Sequence, residues 1–161
     1  MFQIGKCDTF LYSKTQKLRK LMNRVRIEVR LSRTYRNLVA WQKAKVLAKL
    51  VYAKTEVFPR AERFGLTSQV RRAAVSVASN IAEGQGRLTR GEFRQFLGQA
   101  RRSLLELETQ LDIAHDLGYL LEQEYRLLEM QSFQVLGLLN RLVDSLSQCR
   151  LMPETLKPSK P

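Results

Sequence analysis

The side chains that could do chemistry in this sequence are mainly basic, and several recur at helical spacing. Arg90, Arg94 and Arg101 are four and seven residues apart, so a helix would hold them within about 40° of one another. Guanidinium groups spaced along a surface bind phosphates through paired N–H donors and a permanent charge. The other candidate nucleic-acid-binding residues are basic positions on the neighbouring predicted helices and turn: Lys43, Lys45, Lys49, Arg71, Arg72, Arg87 and Arg102.

The net charge of the chain also favours a polyanionic partner. The formal net charge is +13, which attracts nucleic acid, acidic membrane surfaces or acidic proteins. Residues 1–36 carry ten basic against two acidic side chains, and residues 37–102 carry thirteen against four. Residues 103–161 reverse the balance, with five basic against nine acidic. On the helix that carries Arg90, the sign changes at Glu108 and Asp112, which predicts a bundle with one basic and one acidic end.

Residue patterns typical of enzymes and metal sites are missing from the sequence. The segment GQGR follows a predicted helix and has neither the lysine nor the hydroxyl of a phosphate-binding loop. Di-metal helix bundles need two Glu-x-x-His motifs, whereas here Asp112-x-x-His115 occurs once. Near the end of its helix, His115 is expected to be structural, since an imidazolium complements the helix dipole there. The sequence therefore predicts no catalytic residues, no cofactor and no metal.

The cysteines and the apolar runs bear on the cellular compartment. Cys7 and Cys149 lie near opposite ends of the chain, without a CxxC motif, so neither a zinc site nor a disulfide framework is indicated. The sequence contains no run of 18 apolar residues that could cross a bilayer. These features predict a cytoplasmic protein with no membrane partner.

Four amphipathic helices are predicted to position the basic side chains. The first runs roughly from Leu38 to Glu56, with an inner face of Trp41, Ala44, Ala48, Val51, Tyr52 and Thr55. The second runs from about Leu66 to Glu83, and we expect the following Gly84 and Gly86 to end it in a left-handed turn. Its inner residues are Leu66, Val70, Ala73, Val77 and Ile81.

The third predicted helix has the clearest sequence signals. Thr89 and Glu92 form a capping box directly before the apolar run, and Gly118 supplies the stop. Apolar residues follow at alternating steps of four and three: Phe93, Leu97, Ala100, Leu104, Leu107, Leu111 and Ala114. The fourth helix runs from about Glu122 to Gln148, with Tyr125, Leu128, Ser132, Val135, Leu139, Leu142 and Leu146 inside.

Short loops between long helices predict an all-α fold, an antiparallel up-down-up-down four-helix bundle over residues 35–149. Residues 150–161 are expected to form a disordered tail. The basic extension 1–34 has three interpretations: an arm that orders on a partner, a leader upstream of a start at Met22, or a folded element suggested by the alternation from Arg24 to Leu31.

A second apolar stripe on the first two helices bears on assembly. On the first helix it comprises Val39, Val46, Leu50 and Val57, and on the second Ala74, Val75, Ala78 and Ala82. One explanation of this stripe is that a broad apolar surface of each helix is buried in the core of the bundle. Exposed patches of this extent are unusual in monomers, so we expect a subunit interface and hence a homo-oligomer. The basic residues could then be solvated or form intersubunit salt bridges instead of binding RNA.

The runs NLVAWQKA, FPRAERFGLTSQVRRAAVSVASNIAEGQGR, EFRQFLGQARRSLLELETQL and AHDLGYL resemble a known bacterial family over about residues 35–148. It comprises the four-helix-bundle proteins encoded by intervening sequences in 23S ribosomal RNA genes, related to the accessory variability protein of diversity-generating retroelements. The resemblance implies a homopentameric barrel of four-helix protomers with a basic surface, which in the retroelement relatives engages RNA and a reverse transcriptase. The matched signature positions are Arg71, Arg72, Asn80, Glu83, Gly84 and Arg87. Leu121 stands where the family usually carries a small polar cap.

The residues and the resemblance together predict a non-catalytic, oligomeric RNA-binding protein associated with ribosomal RNA intervening sequences or retroelement-type RNA. Contact with phosphates should dominate, because no exposed aromatic residue or recognition helix for reading bases is identifiable in the sequence. The alternative is a protein–protein scaffold whose basic residues form intersubunit salt bridges. Binding to a membrane surface or nucleoid by charge alone is a third option.

Overall fold

The computed structural model of the chain describes residues 34–147, and every regular element in that range is helical. The long helices are α1 (Val39–Lys54), α2 (Leu66–Gln85), α3 (Arg90–Asp116) and α4 (Glu122–Ser147). Short 3-10 helices at Tyr35–Asn37 and Arg60–Arg63 precede α1 and α2. The predictions for the extension before Thr34 and for the tail lie outside the described residues.

The four long helices surround one hydrophobic core. α1 and α3 each pack against both α2 and α4, with the most extensive contact between α2 and α3. Most of the residues that fill the core are aliphatic, and every helix contributes one that is almost fully buried, such as Leu47, Ile81, Leu104 and Leu139. The prediction of an all-α four-helix bundle is therefore confirmed. None of the helices within residues 34–147 is long and apolar enough to span a bilayer.

Local signals in the sequence account for the bounds of α3. Thr89 Oγ1 accepts a hydrogen bond from the Glu92 backbone N–H, while the Glu92 carboxylate accepts one from the Thr89 N–H, which completes the predicted capping box. The Glu92 carboxylate accepts hydrogen bonds from the Thr89 hydroxyl and from the Thr89 backbone N–H, and these hold the pKa of Glu92 below its usual value. At the other end, Gly118 adopts a φ of 73°, where glycine is favoured. All seven predicted inner residues of α3 are buried.

The predicted inner face of α1 is partly wrong. Ala44, Val51 and Thr55 are buried as expected, and so are Ala40 and Leu47, which the prediction omitted. Tyr52 is 46% exposed. The true core face is therefore rotated toward Leu47, because α1 is apolar on several sides and periodicity alone does not select the side that meets the bundle.

The predicted left-handed turn at the glycine pair after α2 is also wrong. Within residues 34–147, Gly118 is the one residue with a positive φ, and α2 continues through the buried Gly84 to Gln85. A Cβ at position 84 would lie 2.6 Å from Phe96 Cβ and 2.8 Å from Phe93 Cδ2. Glycine is therefore needed at position 84 so that α2 and α3 can approach closely.

Candidate nucleic-acid interface

A cleft between α3 and α4 brings together part of the predicted basic set. Its volume is about 380 Å³, and Arg94 and Arg101 contribute the charged lining. The remaining lining residues are Gly91, Gln95, Leu97, Gly98, Leu139, Asn140 and Val143. Because Gly98 has no side chain and an added Cβ there would meet nothing within 4 Å, the cleft stays open between the two guanidinium groups. The positive charge of its lining suits a phosphate group.

The arginines around this cleft are available to a ligand. Arg90, Arg94, Arg101 and Arg102 are exposed, and no carboxylate within residues 34–147 forms an ion pair with them. The closest acidic residue in sequence, Glu92, accepts hydrogen bonds from Thr89. Arg102 lies about 100° around α3 from Arg101, so it extends the basic surface away from the cleft.

Arg87 occupies the turn between α2 and α3 and is only partly available. Its guanidinium pairs with the Glu83 carboxylate one helical turn earlier and lies 4.5 Å from the centre of the Phe96 ring. The pair with Glu83 therefore links the turn to the end of α2. Asn80 does not reach the turn, since its amide donates to the backbone oxygen and hydroxyl of Ser76 within α2.

Arg71 is held at the opposite end of α2 from Arg87, and Arg72 lies beside it. Arg71 Nε donates to Thr55 Oγ1 at 2.8 Å, and its Nη2 donates to the Tyr52 carbonyl at 3.4 Å. The guanidinium also lies over the Tyr52 ring. Arg71 therefore ties the start of α2 to the end of α1. The exposed Arg72 donates to Gln69 and is not brought to the α3–α4 cleft.

The three lysines of α1 do not share one face. Lys43 and Lys45 are about 160° apart around the helix, whereas Lys45 and Lys49 are about 40° apart. All three are exposed, and the Lys45 ammonium lies 5.2 Å from the centre of the Trp41 ring. They contribute to the charge of the bundle surface, but the α3–α4 cleft does not include them.

The other end of the α3–α4 face is acidic, as the sign change along α3 predicts. Tyr125 donates a hydrogen bond to Asp112, which raises the tyrosine pKa to about 12. Partial burial, together with Asp112 and Glu129 nearby, raises the pKa of Glu108. These carboxylates would repel phosphates, so a polyanion on this face is directed toward the arginine end.

His115 has the structural surroundings that its position in α3 predicts. Its Nε2 lies 2.9 Å from Glu122 of α4, and its ring stacks on Tyr125 with centroids 4.5 Å apart. These contacts join the end of α3 to the start of α4. In residues 34–147 no group of three or more metal-ligating side chains comes together. Despite Leu121 at the cap position, α4 begins at Glu122 as predicted, because Glu124 accepts a hydrogen bond from the Leu121 N–H.

The sequence prediction missed two features of the α3–α4 face. Asn140 lines the cleft from α4, and Phe133 on the same helix is 74% exposed. The sequence could have indicated that Phe133 is exposed, because position 133 lies off the inner face of α4 that Leu128, Ser132 and Val135 form. The assignment of Asn140 to the cleft required the packing of α4 against α3, which no local pattern specifies.

The fold and the cleft describe a small helical-bundle protein with two arginines in a cleft between α3 and α4 and carboxylates at the other end of the same face. Residues 36–141 match the model of the family described as 23S rRNA-intervening sequence protein. The match spans well over half of the chain, and the chain belongs to this family. The family part of the sequence-based resemblance is thereby confirmed.

A solved structure shows the same fold. It is a protein of unknown function from the S23 ribosomal protein family of Bacteroides thetaiotaomicron, 21% identical, with a TM-score of 0.61. The alignment covers 66% of this chain and 96% of that one. At this identity the likeness concerns the fold alone. No curated protein matches the chain significantly.

Proposed function

We propose that this protein is a non-catalytic, oligomeric RNA-binding protein associated with ribosomal RNA intervening sequences or retroelement-type RNA. The observation that carries the proposal is the row formed by Arg90, Arg94 and Arg101. These exposed side chains follow one face of α3, two of them line a cleft, and no carboxylate in the described range forms an ion pair with them. At 1.5 Å per residue the row extends about 16 Å, long enough for successive phosphates of one strand.

The family description supports RNA as the polyanion. Intervening sequences of 23S rRNA are the elements after which the family is described. Binding through Arg90, Arg94 and Arg101 would be mainly electrostatic and strongly dependent on salt, because each neutralised phosphate releases condensed counterions. We propose that the protein acts in the cytoplasm, and that a reverse transcriptase is a second partner if the relationship to retroelement accessory proteins holds.

An antiparallel up-down-up-down arrangement of the bundle is part of the proposal. In its support, Lys54 at the end of α1 forms a 2.9 Å ion pair with Glu124 at the start of α4. Gly84 near the end of α2 lies against Phe93 near the start of α3. The α3–α4 contacts of Asp112 with Tyr125 also join the end of one helix to the start of the next.

Assembly into a homo-oligomer, which we propose to be a pentamer, is supported by apolar side chains on the surface. Val39, Val46 and Val57, from the second stripe predicted on and after α1, are exposed, and so is Val75 of α2. Ala74 does not belong to this stripe, because it is buried in the core of its own bundle. Covering these valines would remove apolar surface from water.

The proposal is tested by titrating the full chain with a labelled single-stranded RNA at several salt concentrations. The test variant carries Arg90→Gln, Arg94→Gln and Arg101→Gln. If three phosphate contacts are lost, the slope of log affinity against log salt becomes shallower by about 2, at ~0.7 per phosphate on a single strand. Affinity at low salt falls accordingly.

The matched control carries Arg36→Gln, Arg60→Gln and Arg63→Gln. These side chains are exposed, and their removal changes the total charge by the same amount away from the cleft. The control should keep the wild-type slope. Equal losses in the two variants would assign binding to net charge and refute the proposed surface. Absence of wild-type binding at ~50 mM salt would refute RNA binding itself.

The alternative function is a protein–protein scaffold, favoured by the exposed valines and by the basic and acidic ends of the α3–α4 face. In such a scaffold the arginines of one protomer would pair with Glu108 or Asp112 of another. Size-exclusion chromatography with light scattering on the Arg90, Arg94 and Arg101 variant distinguishes the two. Dissociation of the assembly supports the scaffold, and an intact assembly with weakened RNA binding supports the proposed function.

A further inference from the structure

Phe133 is an aromatic residue on the surface of α4 that the bundle does not explain. Its side chain is 74% exposed, whereas its neighbour Ser132 is fully buried. On α3, Leu105 is 45% exposed. A large aromatic ring facing solvent is informative when it lies beside a charged cleft, because such rings provide stacking surfaces for nucleobases.

Contacts between α3 and α4 place Phe133 and Leu105 at the same height along the axis of the bundle. At the acidic end, Asp112 contacts Tyr125. At the basic end, Gly98 and Asn140 line the same cleft. Position 105 lies midway between 98 and 112 on α3, and position 133 midway between 125 and 140 on α4.

Phe133 also shares a face of α4 with the cleft. It precedes Asn140 by seven residues, which corresponds to two helical turns, a rotation of about 20° and a rise of about 10 Å. On α3, Leu105 follows Arg101 by one turn. The α3–α4 face thus presents, in order, two arginines in a cleft, an apolar surface with an exposed ring, and the carboxylates of Glu108 and Asp112.

This order matches the chemistry of a nucleotide whose base is not paired. A phosphate is attracted to Arg94 and Arg101 and repelled by the carboxylates, while an unpaired base can lie flat against the Phe133 ring. A duplex keeps its bases stacked inside and offers phosphates alone. A second copy of the chain would also place carboxylates against these arginines, and light scattering on Phe133→Leu distinguishes that occupant from RNA.

We propose that the α3–α4 face binds an unpaired nucleotide of a single-stranded RNA segment, with a phosphate between Arg94 and Arg101 and the base stacked on Phe133. This inference rests on the proposed function and adds to it the class of RNA and the residue that contacts the base. The proposed site would bind single strands, loops and bulges in preference to regular duplex.

The test compares the full chain with Phe133→Leu, which removes the ring and keeps apolar volume. Fluorescence anisotropy measures binding of a labelled single-stranded RNA and of a perfectly paired duplex of the same length. Loss of one base–aromatic stack should weaken single-strand binding roughly five- to hundredfold, and duplex binding should change less than about twofold. Phe64→Leu is the matched control, because Phe64 is 88% exposed and lies in the α1–α2 connection; it should leave both affinities unchanged.

Phe133→Trp provides a direct readout of stacking. Single-stranded RNA should quench the emission of the new indole, measured as the difference from wild type, whose one tryptophan is Trp41. Affinity for the single strand should be retained or improved, whereas the duplex should leave the emission unchanged.

The outcomes separate this inference from the proposed function. If wild type binds both RNAs but Phe133→Leu weakens neither, or weakens both equally, the stacking inference is wrong and electrostatic RNA binding stands. If wild type binds neither RNA, both fail. If light scattering shows that Phe133→Leu dissociates an oligomer, Phe133 is a subunit contact and the inference is overturned.

Discussion

Replacement of Gly84 by alanine tests the close approach of α2 and α3. In an open helix interior, glycine to alanine stabilises a protein by about 1 kcal/mol. At position 84 the new Cβ would lie 2.6 Å from Phe96 Cβ and 2.8 Å from Phe93 Cδ2. Phe96 Cβ is attached to the backbone, so a rotamer change cannot move it and the helices must separate.

The net effect follows from the two opposing contributions. Overpacking of a close-packed core costs about 1–3 kcal/mol, and a contact with a backbone-anchored atom belongs at the upper end. Subtracting the gain in helix propensity leaves a loss of about 2 kcal/mol. For a domain of this size the melting temperature should fall by roughly 6–10 °C.

The assay is thermal unfolding followed by circular dichroism, with light scattering to establish that the variants have the same assembly state. Gly137→Ala is the matched control, because an added Cβ at this helical position meets nothing within 4 Å, and it should raise the melting temperature by a few degrees. Phe96→Ala should not rescue Gly84→Ala, since its Cβ remains. A Gly84→Ala variant as stable as wild type would refute the steric argument.

Three further substitutions test individual side-chain roles. Thr89→Ala removes the N-cap of α3 and should cost about 1 kcal/mol of stability in urea unfolding; an unchanged midpoint would contradict the role of the cap. Glu108→Gln should stabilise the protein at neutral pH. The raised pKa of Glu108 means that the folded state disfavours the ionised carboxylate. The stability advantage of Glu108→Gln over wild type should therefore shrink as the pH falls through that pKa. A stability advantage that does not change with pH would contradict the raised pKa. Arg71→Lys should lower the free energy of unfolding by about 1 kcal/mol, because a lysine cannot reproduce the hydrogen bonds to Thr55 and the Tyr52 carbonyl. RNA affinity should stay near the wild-type value. Strongly weakened RNA binding without loss of stability would show instead that Arg71 contacts RNA.

Several features of this protein follow from short stretches of sequence. The capping box of Thr89 and Glu92, the stop at Gly118 and the seven buried residues of α3 were predicted correctly. Each depends on residues within a few turns of one helix, where backbone geometry converts spacing directly into position. The alignment of Arg90, Arg94 and Arg101 on one face is local in the same sense.

Other features depend on how the helices meet. The face of α1 that enters the core, the steric need for Gly84 and the hydrogen bonds that hold Arg71 at the end of α1 all involve atoms from two helices. Helical periodicity gives the angle of a residue around its own axis, but it does not give the neighbour on that side.

The candidate site divides in the same way. Sequence alone determined which arginines share a face of α3 and that the charge changes sign along it. Only the tertiary structure decided that Asn140 closes a cleft with Arg94 and Arg101, that Phe133 lies exposed beyond it, and that Arg71 and Arg72 lie elsewhere. Side chains from separate helices come together through packing, and packing is set by the fit of whole helix surfaces rather than by any one segment.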